Sequence, residues 1–267
     1  MVGVKYIASV SFGKDSLAML LRLMEENVPL DAVVFYDTGM EFESIYRNRD
    51  KVVKDLEQSG IEFIELHPKE PFLFSMLERK VKYRSKDGYH YGLGWCGGPC
   101  RWGTAQKTQA IAAYKKTIDE PVTDYVGIAF DEPERFGKAA YGGKTLPLVN
   151  WKMTEQDCLL YCRNRGWSWK EHTVNGDIDL YDVLSRVSCW CCKNKNLSEL
   201  RNMYLFLPEY WERLKQLQTK IEMPMKGKSG SVFDLERRFR LEQEWINAGL
   251  SIQSKSFFEA LNKTNLS

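Results

Sequence analysis

The chain has 267 residues, of which 43% are hydrophobic, and its formal net charge is +2. This length suits one large domain, or a domain of roughly 150–200 residues with an appendage. A nearly neutral chain has no strong overall field with which to recruit nucleic acid. The first residues lack the pattern of a signal peptide, and no segment approaches the roughly 18 apolar residues that span a bilayer. We therefore expect a cytoplasmic protein that does not enter a membrane.

Apolar runs and helical periodicities alternate along the first part of the chain. The first helical segment, for example, places Leu17, Leu20, Leu21 and Met24 on one face. The predicted order is strand 4–10, helix 15–26, strand 31–36, helix 42–59, strand 61–66 and, further on, strand 123–129. Strands that alternate with helices at this spacing predict an α/β fold, in which a parallel twisted sheet is flanked by helices.

The remaining segments differ in character. Residues 82–103 are rich in glycine, aromatic and charged side chains, so we interpret them as a functional loop or small insert. The other predicted segments are helix 104–116, an open loop at 131–146, a helix that opens with a capping box of Thr154 and Asp157, helix 197–219 and helix 234–248. We accordingly divide the chain into an α/β domain, residues 1–195, and a mostly helical C-terminal region, residues 196–267.

The hexapeptide SFGKDS, which begins at Ser11, joins the first strand to the first helix. The first N–H groups of a helix have no intrahelical partner, and the helix dipole adds positive charge there, so a phosphate group fits such a site. Gly13 permits close approach of the backbone to a ligand. Lys14 supplies a cation, Asp15 can cap the helix, and Ser16 adds a second hydroxyl group. An ordinary strand–helix turn is the alternative.

This phosphate loop is not of the Walker A type. The nearest candidate for that motif is Gly143-Lys144-Thr145, but a lysine occupies position 138, where a glycine is required, and Pro147 follows instead of an apolar helix. SFGKDS instead resembles the SGGxDS signature of the PP-loop pyrophosphatases, also called adenine nucleotide alpha-hydrolases. Phe12 stands where glycine is usual in many members. This resemblance implies cleavage at the α-phosphate rather than the γ-phosphate.

Two further segments extend the resemblance to the phosphoadenylylsulfate (PAPS) reductase family within that superfamily. Asp37-Thr38-Gly39, at the end of the second strand, resembles the family's DTG motif. Residues 127–135 resemble its G-x-R-x-x-E-S-x-R segment, with Ala129 in place of an arginine. The resemblance covers roughly residues 3–200. It implies that the α/β domain is a nucleotide-binding domain with a Rossmann-like HUP/PP-loop fold and a cysteine-containing insert at about 82–103.

The resemblance also implies a nucleotide site built from the phosphate loop, the end of the second strand and single later residues. Its members are Ser11, Phe12, Gly13, Lys14, Asp15, Ser16, Tyr36, Asp37, Thr38, Gly39, Arg101, Lys107 and Gly127. Lys14, Asp15 and Arg135 would be catalytic, with Arg135 as an anion contact. Ordinary surface charge is the alternative for Arg101, Lys107 and Arg135.

The seven cysteines are expected to be reduced in the cytosol. Two short clusters, Cys96-Gly-Gly-Pro-Cys100 and Cys189-Trp-Cys191-Cys192, can close around one metal centre. The predicted ligands are Cys96, Cys100, Cys189 and Cys192, with Cys191 as an uncertain fifth member. The resemblance to adenylylsulfate (APS) reductases favours a [4Fe-4S] cluster, although their first cysteine pair is adjacent, and zinc or a set of unrelated thiols is the alternative. Cys158 and Cys162, one helical turn apart, are predicted core residues.

No cysteine follows Cys192, whereas assimilatory sulfonucleotide reductases carry a nucleophilic cysteine in a C-terminal tail. We therefore expect an ATP pyrophosphatase-type enzyme, in which ATP and Mg²⁺ adenylate an acceptor oxygen so that sulfur can displace AMP. A nucleic acid is one candidate acceptor, and a sulfur-donor protein is a candidate partner. The oligomeric state is left open.

Two other functions fit the same residues. One is an APS or PAPS reductase that uses an internal cysteine, for which Cys191 is the nearby candidate. The other is a non-catalytic module that binds nucleotide or nucleic acid. For that module, Lys226, Lys228, Arg237, Arg238 and Arg240 would meet a phosphate backbone, a solvated helix face being the ordinary interpretation.

Overall fold

A computed structural model describes residues 3–95, 100–137 and 143–264. Its strands are β1 (Lys5–Val10), β2 (Ala32–Tyr36), β3 (Glu62–Leu66), β4 (Lys80–Lys82), β5 (Tyr89–Tyr91), β6 (Val122–Val126), β7 (Lys144–Thr145), β8 (Lys170–Thr173) and β9 (Gly176–Asp179). Its helices are α1 (Lys14–Glu25), α2 (Glu43–Gln58), α3 (Phe72–Leu77), α4 (Gln106–Lys115), α5 (Pro147–Asn150), α6 (Glu155–Arg163), α7 (Leu180–Val183), α8 (Leu197–Phe206), α9 (Pro208–Thr219), α10 (Val232–Asn247) and α11 (Lys255–Thr264). A π-helical turn spans Arg101–Ala105, and 3₁₀ turns span Pro133–Arg135 and Gly227–Ser229.

The central sheet has the strand order β3-β2-β1-β6-β7, and each pair is parallel. Every residue of β2 is buried, as expected for a strand with both faces covered. The chain winds from β1 to β3 on one side and continues with β6 and β7 on the other, so the winding reverses between β1 and β6. In open parallel sheets, ligands bind beyond the carboxyl ends of the strands at such a reversal. The predicted α/β fold is confirmed.

Helix α1 packs its apolar face between the sheet and α6. Leu17 and Leu20 are fully buried on it. Cys158 and Cys162 on α6 are also fully buried, so both are core residues as predicted. Helix α6 begins with the predicted capping box, in which Thr154 and Asp157 each bond the other's backbone.

The C-terminal part is helical, as predicted, but the expected helix 197–219 is two helices. Pro208 begins α9, because proline has no N–H group to continue α8 and suits the first turn of a new helix. Leu200 and Met203 of α8 belong to the same contiguous core as the sheet. The division at residue 195 therefore does not separate two cores, and it stays a prediction. Among the described residues, no helix has the length and apolar character needed to cross a membrane.

Two segments contain strands that the sequence did not predict: residues 82–103, interpreted as a functional loop or small insert, and residues 131–146, whose interpretation as an open loop was wrong. Strands β4 and β5 form an antiparallel hairpin at the start of the expected insert. Strand β7 extends the sheet edge by pairing with β6 inside residues 131–146. Both are too short and too polar to show a hydrophobic alternation. Residues 96–99 and 138–142 lie outside the described residues.

Candidate nucleotide and cysteine site

The phosphate loop is closed by hydrogen bonds between its two serines. The Ser11 N–H donates to Ser16 Oγ over 3.1 Å, and the two hydroxyl oxygens are also 3.1 Å apart. The Ser16 hydroxyl group donates to the Gly13 carbonyl over 3.2 Å. The N-cap residue of α1 is Gly13, so no N-cap side chain accepts a hydrogen bond from this helix. Within the described residues, the N–H groups of Asp15 and Ser16 form no hydrogen bond, so they are free to bind an anion.

Phe12 shapes this loop from within the core, and its contact with a ligand stays a prediction. Its side chain is fully buried and packs edge-on against Phe35, with ring centroids 5.1 Å apart. Its backbone has φ of 57°, a conformation that glycine adopts easily and a bulky residue rarely. The Trp169 indole N–H donates to the Phe12 carbonyl over 2.8 Å and holds this turn.

Lys14 is bound to acidic residues of the protein and does not extend freely into solvent. Its ammonium group lies 2.5 Å from Glu155 Oε2 and 3.4 Å from Asp15, and the side chain is 8% exposed. Its N–H donates to the Tyr181 hydroxyl over 2.9 Å. Burial opposes the charge of Lys14, but the attraction of Asp15 and the Glu155 hydrogen bond outweigh it, so the pKa of Lys14 is raised. A phosphate contact by Lys14 would require it to leave Glu155.

Asp15 carries the other charge at the start of α1. Burial raises the pKa of Asp15 to about 6, and Lys14 only partly offsets this. Gly127, after β6, packs directly on this turn: a Cβ atom there would lie 2.8 Å from Ser16 Cα. The segment after β6 and the segment after β1 therefore meet at the reversal point of the sheet, which accounts for glycine at position 127.

The predicted end of the second strand contains an aspartate turn. Asp37 Oδ1 accepts hydrogen bonds from the Gly39 N–H over 2.7 Å and from the Tyr46 hydroxyl over 2.9 Å. Gly39 has φ of 74°, which the turn requires. Asp37 and Thr38 are buried. The backbone of this turn is thus held rigidly beside the phosphate loop.

A cavity of about 510 Å³ opens next to this turn. Its lining residues are Asp37, Thr38, Gly39, Met40, His67, Pro68, Lys69, Pro71, Phe72 and Leu73. This volume lies in the range of small-molecule sites. Asp37, Glu65 and His67 bring three possible metal-ligand atoms within 4.8 Å of one another at its edge. These oxygen and nitrogen donors suit a divalent cation.

The second cysteine cluster is docked against the same turn. The Trp190 N–H donates to the Met40 carbonyl over 3.0 Å. Cys189 Sγ lies 3.3 Å from Thr38 Oγ1 and 3.5 Å from Glu41 Oε1. Burial raises the pKa of Glu41, and its carboxyl group also accepts a hydrogen bond from Thr38 over 2.8 Å. Sequence reasoning missed Glu41, whose position two residues after DTG was the available signal.

Cys100, from the first cysteine cluster, and Cys189 both contribute to the electrostatics of Tyr36. Burial raises the pKa of Tyr36 to about 12, and the charges of Cys189, Asp37 and Cys100 reinforce this effect. The Tyr36 hydroxyl group is buried and has no partner among the described residues. Cys100 Sγ accepts from the Gly103 N–H over 3.3 Å. Cys96 lies outside the described residues.

Thiolate side chains of this kind can bind zinc or an iron–sulfur cluster. Among the described residues, Cys100, Cys189 and Cys192 do not form a group whose ligand atoms all lie within 4.8 Å of one another. The unpaired Tyr36 hydroxyl group offers a hydrogen bond to sulfur in such a site.

The remaining predicted residues differ in their surroundings. Lys107 is enclosed, and burial lowers its pKa despite the opposing effects of Glu41 and Cys189. Arg135 is half exposed and pairs with Glu132, which agrees with the alternative of a surface charge. Of the Arg101 side chain the structure gives no description. Contacts of these three residues with substrate stay predictions.

The parallel sheet reverses its winding at a switch point, and a loop with free N–H groups lies there, which is the arrangement of an α/β ligand-binding fold. Residues 5–87 match the phosphoadenosine phosphosulfate reductase domain family. The matched segment contains the SFGKDS and DTG motifs, so the predicted resemblance to PAPS reductase-like proteins of the PP-loop superfamily is confirmed.

Two individual proteins are similar to the chain. An uncharacterized protein of Methanocaldococcus jannaschii is 23% identical over 255 residues, which are 91% of this chain and 45% of that protein. The chain thus spans a little under half the length of this relative. The solved structure of the U34-tRNA thiolase NcsA from Methanococcus maripaludis with its [4Fe-4S] cluster matches with a TM-score of 0.41 and 17% identity, covering 91% of this chain and 72% of that one.

Proposed function

We propose that this protein is an adenine-nucleotide-dependent sulfur-transfer enzyme that activates its acceptor by adenylation. The observation that carries this proposal is the meeting of two kinds of chemistry at one edge of the sheet. The phosphate loop follows β1, which pairs in parallel with β2, and Cys189 Sγ lies 3.3 Å from Thr38 Oγ1 just beyond the end of β2. An activated acceptor and a sulfur site would therefore be neighbours.

The nucleotide would lie across the switch point. The free N–H groups of Asp15 and Ser16 at the start of α1 suit its phosphates, and the cavity beside Asp37 and Gly39 suits its adenosine. Mg²⁺ bound with ATP would neutralise charge on the phosphates. Donors fixed in place before the reaction stabilise the transition state, and one of them contributes roughly 3–4 kcal/mol.

The chemistry takes two displacements. An acceptor oxygen attacks the α-phosphorus, the bond from that phosphorus to the bridging oxygen breaks, and pyrophosphate leaves. Sulfide, or a sulfur-donor protein that delivers it, then forms a C–S bond while the C–O bond breaks and AMP leaves. Both steps are substitutions, so they need no oxidant or reductant.

Cys100, Cys189 and Cys192, with Cys96 as the predicted fourth ligand, would hold a [4Fe-4S] cluster or another thiolate-bound metal. When bound, such a group can supply a site for sulfur next to the activated acceptor. Thr38 and Glu41 would orient the Cys189 side chain through their contacts with its sulfur.

The test is the product formed from ATP labelled at the α-phosphate. With total RNA as an acceptor pool and sulfide as donor, we expect labelled AMP and an equal amount of pyrophosphate. Ser16→Ala should bind ATP more weakly and release less pyrophosphate, because Ser16 Oγ closes the loop. Ser59→Ala, at the exposed end of α2, is the matched control and should behave as wild type. Labelled ADP as the product would contradict cleavage at the α-phosphate.

The alternative reductase would use Cys191, which is buried with 3% exposure. A thiol that attacks the sulfur of APS or PAPS must reach it, and this side chain is enclosed. Sulfite release from APS or PAPS, abolished in Cys191→Ser, would support the reductase and exclude adenylation as the main activity.

A further inference from the structure

The hairpin of β4 and β5 presents one fully exposed face. Its register puts Lys80 opposite Tyr91 and Lys82 opposite Tyr89. Opposite residues in an antiparallel pair share a face, as do residues two positions apart on one strand. All four side chains are exposed, whereas the residues between them are half-buried. Two lysines and two tyrosines therefore alternate across one surface.

The charges on this hairpin are not neutralised by the protein. Among the described residues, its basic side chains form no ion pair; they are Lys80, Lys82, Arg84 and Lys86. The neighbouring Arg79 differs, since it pairs with Glu70 over 3.5 Å. Unpaired cations of this kind can pair with phosphates without first breaking an internal contact.

Four of the five basic residues that the sequence suggested for nucleic-acid binding, all except Lys228, are paired within the protein. Arg237, Arg238 and Arg240 on α10 pair with Asp234, Glu242 and Glu236. The Lys226 ammonium group donates to the carbonyls of Lys193 and Lys195. The charges of these arginines are neutralised on the face of α10, and Lys226 has a structural role. This favours a solvated helix face over a nucleic-acid site for this stretch.

The two tyrosines are available for stacking. Tyr89 is 54% exposed and Tyr91 is 70% exposed. Lys80 lies 4.4 Å from the centroid of the Tyr89 ring. An exposed cation–π contact contributes about 0.5–1 kcal/mol, less than the roughly 1–3 kcal/mol of a base stacked on an aromatic side chain. A base can therefore displace the lysine, which then pairs with the adjoining phosphate.

The spacing of the rings favours an extended strand. Residues two apart on a strand are separated by about 6.8 Å, twice the roughly 3.4 Å per nucleotide of a stacked duplex. Bases on Tyr89 and Tyr91 must therefore be unstacked from each other. Single strands permit this, whereas duplexes do not without breaking base pairs.

The hairpin is tied to the nucleotide site through α3. The Leu93 N–H donates to the Ser75 carbonyl over 3.1 Å, and the Gly94 N–H donates to the Met76 carbonyl over 2.9 Å. The first residue of the same helix, Phe72, lines the cavity beside the DTG turn. A strand lying on the hairpin is thus held next to the site where an acceptor would be activated.

We propose that the exposed face of this hairpin binds a single-stranded segment of nucleic acid, with bases on Tyr89 and Tyr91 and phosphates on Lys80 and Lys82. The proposal rests on the proposed function in one respect only: the bound strand is taken as the acceptor in the sulfur-transfer reaction. The binding itself is independent of nucleotide chemistry.

The experiment is fluorescence anisotropy of the full chain with a labelled 12-nucleotide unstructured RNA, the same sequence in DNA, and the RNA duplex. Both single strands should bind more tightly than the duplex, and tighter binding of RNA than DNA would identify contacts to the 2′-hydroxyl group. Tyr89→Ala/Tyr91→Ala should weaken single-strand binding at least tenfold with an unchanged salt slope. Lys80→Ala/Lys82→Ala should flatten the log–log salt slope by about 1.4, since each phosphate contact contributes about 0.7.

Arg237→Ala/Arg240→Ala removes the same charge from α10, and Phe206→Ala/Phe258→Ala removes two exposed aromatic rings. Both controls should bind as wild type, and circular dichroism should show that every variant is folded. Equal affinity for duplex and single strands, or unchanged binding by the hairpin variants, would overturn the proposal. ATP binding and AMP formation are measured separately, so failure of the proposed function would appear there and not in the anisotropy.

Discussion

At the scale of single residues, Phe12 combines a strained backbone with a buried ring. Phe12→Ala should lower the free energy of unfolding by about 3–5 kcal/mol, because it empties a core site. Phe12→Gly removes slightly more side chain, yet we expect it to be less destabilising by roughly 0.5–1 kcal/mol, since glycine adopts φ of 57° without strain. Urea unfolding of both variants measures the difference.

This order is the reverse of the one at an ordinary strand or helix position, where glycine is worse than alanine. The matched control is Phe35, the partner of Phe12 in the core, which lies in β2. There Phe35→Gly should be more destabilising than Phe35→Ala. If Phe12→Gly is also more destabilising than Phe12→Ala, the left-handed backbone of Phe12 is not a source of strain.

The free energy of unfolding should depend on pH through the ionisation of Asp15. Its native pKa of about 6 lies above the 3.8 of an unperturbed aspartate, so the folded state binds more protons between pH 4 and 6. The Asp15 contribution is therefore lost as pH rises through this window. Asp15→Asn cannot ionise, and its stability relative to wild type should increase from pH 4 to pH 7 by on the order of 2–3 kcal/mol.

Thermal or urea unfolding at several pH values measures this difference. A flat difference between Asp15→Asn and wild type over this range would mean that Lys14 holds the Asp15 carboxylate ionised at low pH.

At the scale of elements, Gly127 controls how closely the segment after β6 approaches α1. Gly127→Ala puts a methyl group 2.8 Å from Ser16 Cα, where only backbone atoms can move aside. We expect a loss of about 1–3 kcal/mol in stability and weaker ATP binding, because the free N–H groups of the loop shift. Gly137→Ala meets nothing within 4 Å and is the control. Calorimetric titration with ATP reports the affinity, and unchanged binding by Gly127→Ala would separate this contact from the nucleotide site.

The elements differ in how well the sequence predicted them. Strand β2 was found because a strand buried on both faces is a continuous apolar run. Strands β1, β3 and β6 were found because they are short segments rich in apolar, β-branched and aromatic residues. The hairpin strands β4 and β5 were missed, since both of their exposed faces carry lysine and tyrosine rather than apolar side chains. The exposed lysine and tyrosine side chains gave no hydrophobic pattern from which to predict the hairpin. The same side chains suggest its role in binding.

At the scale of the whole molecule, the sequence predicted the motifs of the site but not the partners that hold them. SFGKDS and DTG are local in sequence and were recognised. Glu155, Trp169 and Tyr181 contact the phosphate loop from 140 or more residues away. Such contacts follow from packing of α6 and α7 on α1, which periodicity does not specify. The pairing of Lys14 with Glu155 is the main consequence, because it restrains the residue expected to meet phosphate.

Substitution of single cysteines tests whether segments that are distant in the sequence form one metal centre. Cys100 and Cys189 lie far apart in the sequence, and the structure places Cys189 against Thr38, just beyond the end of β2. After anaerobic reconstitution with iron and sulfide, the wild type should show a broad absorption band near ~400 nm. Cys100→Ala and Cys189→Ala should each lose most of the bound iron. Cys158→Ala and Cys162→Ala are the matched controls.

Both control thiols are fully buried on α6, and burial raises the pKa of each well above that of a free thiol. Their removal should lower the melting temperature, since it leaves cavities against α1, but should leave the iron content unchanged. Metal analysis by mass spectrometry gives iron and zinc in the same sample. A different result would be one zinc ion per chain, without sulfide, that is lost in Cys100→Ala and Cys189→Ala. This result would assign the cysteines a structural role, since zinc has no redox chemistry. If Cys189→Ala instead retains its iron, the second group of cysteines does not bind the metal. The two groups of cysteines would then have different functions.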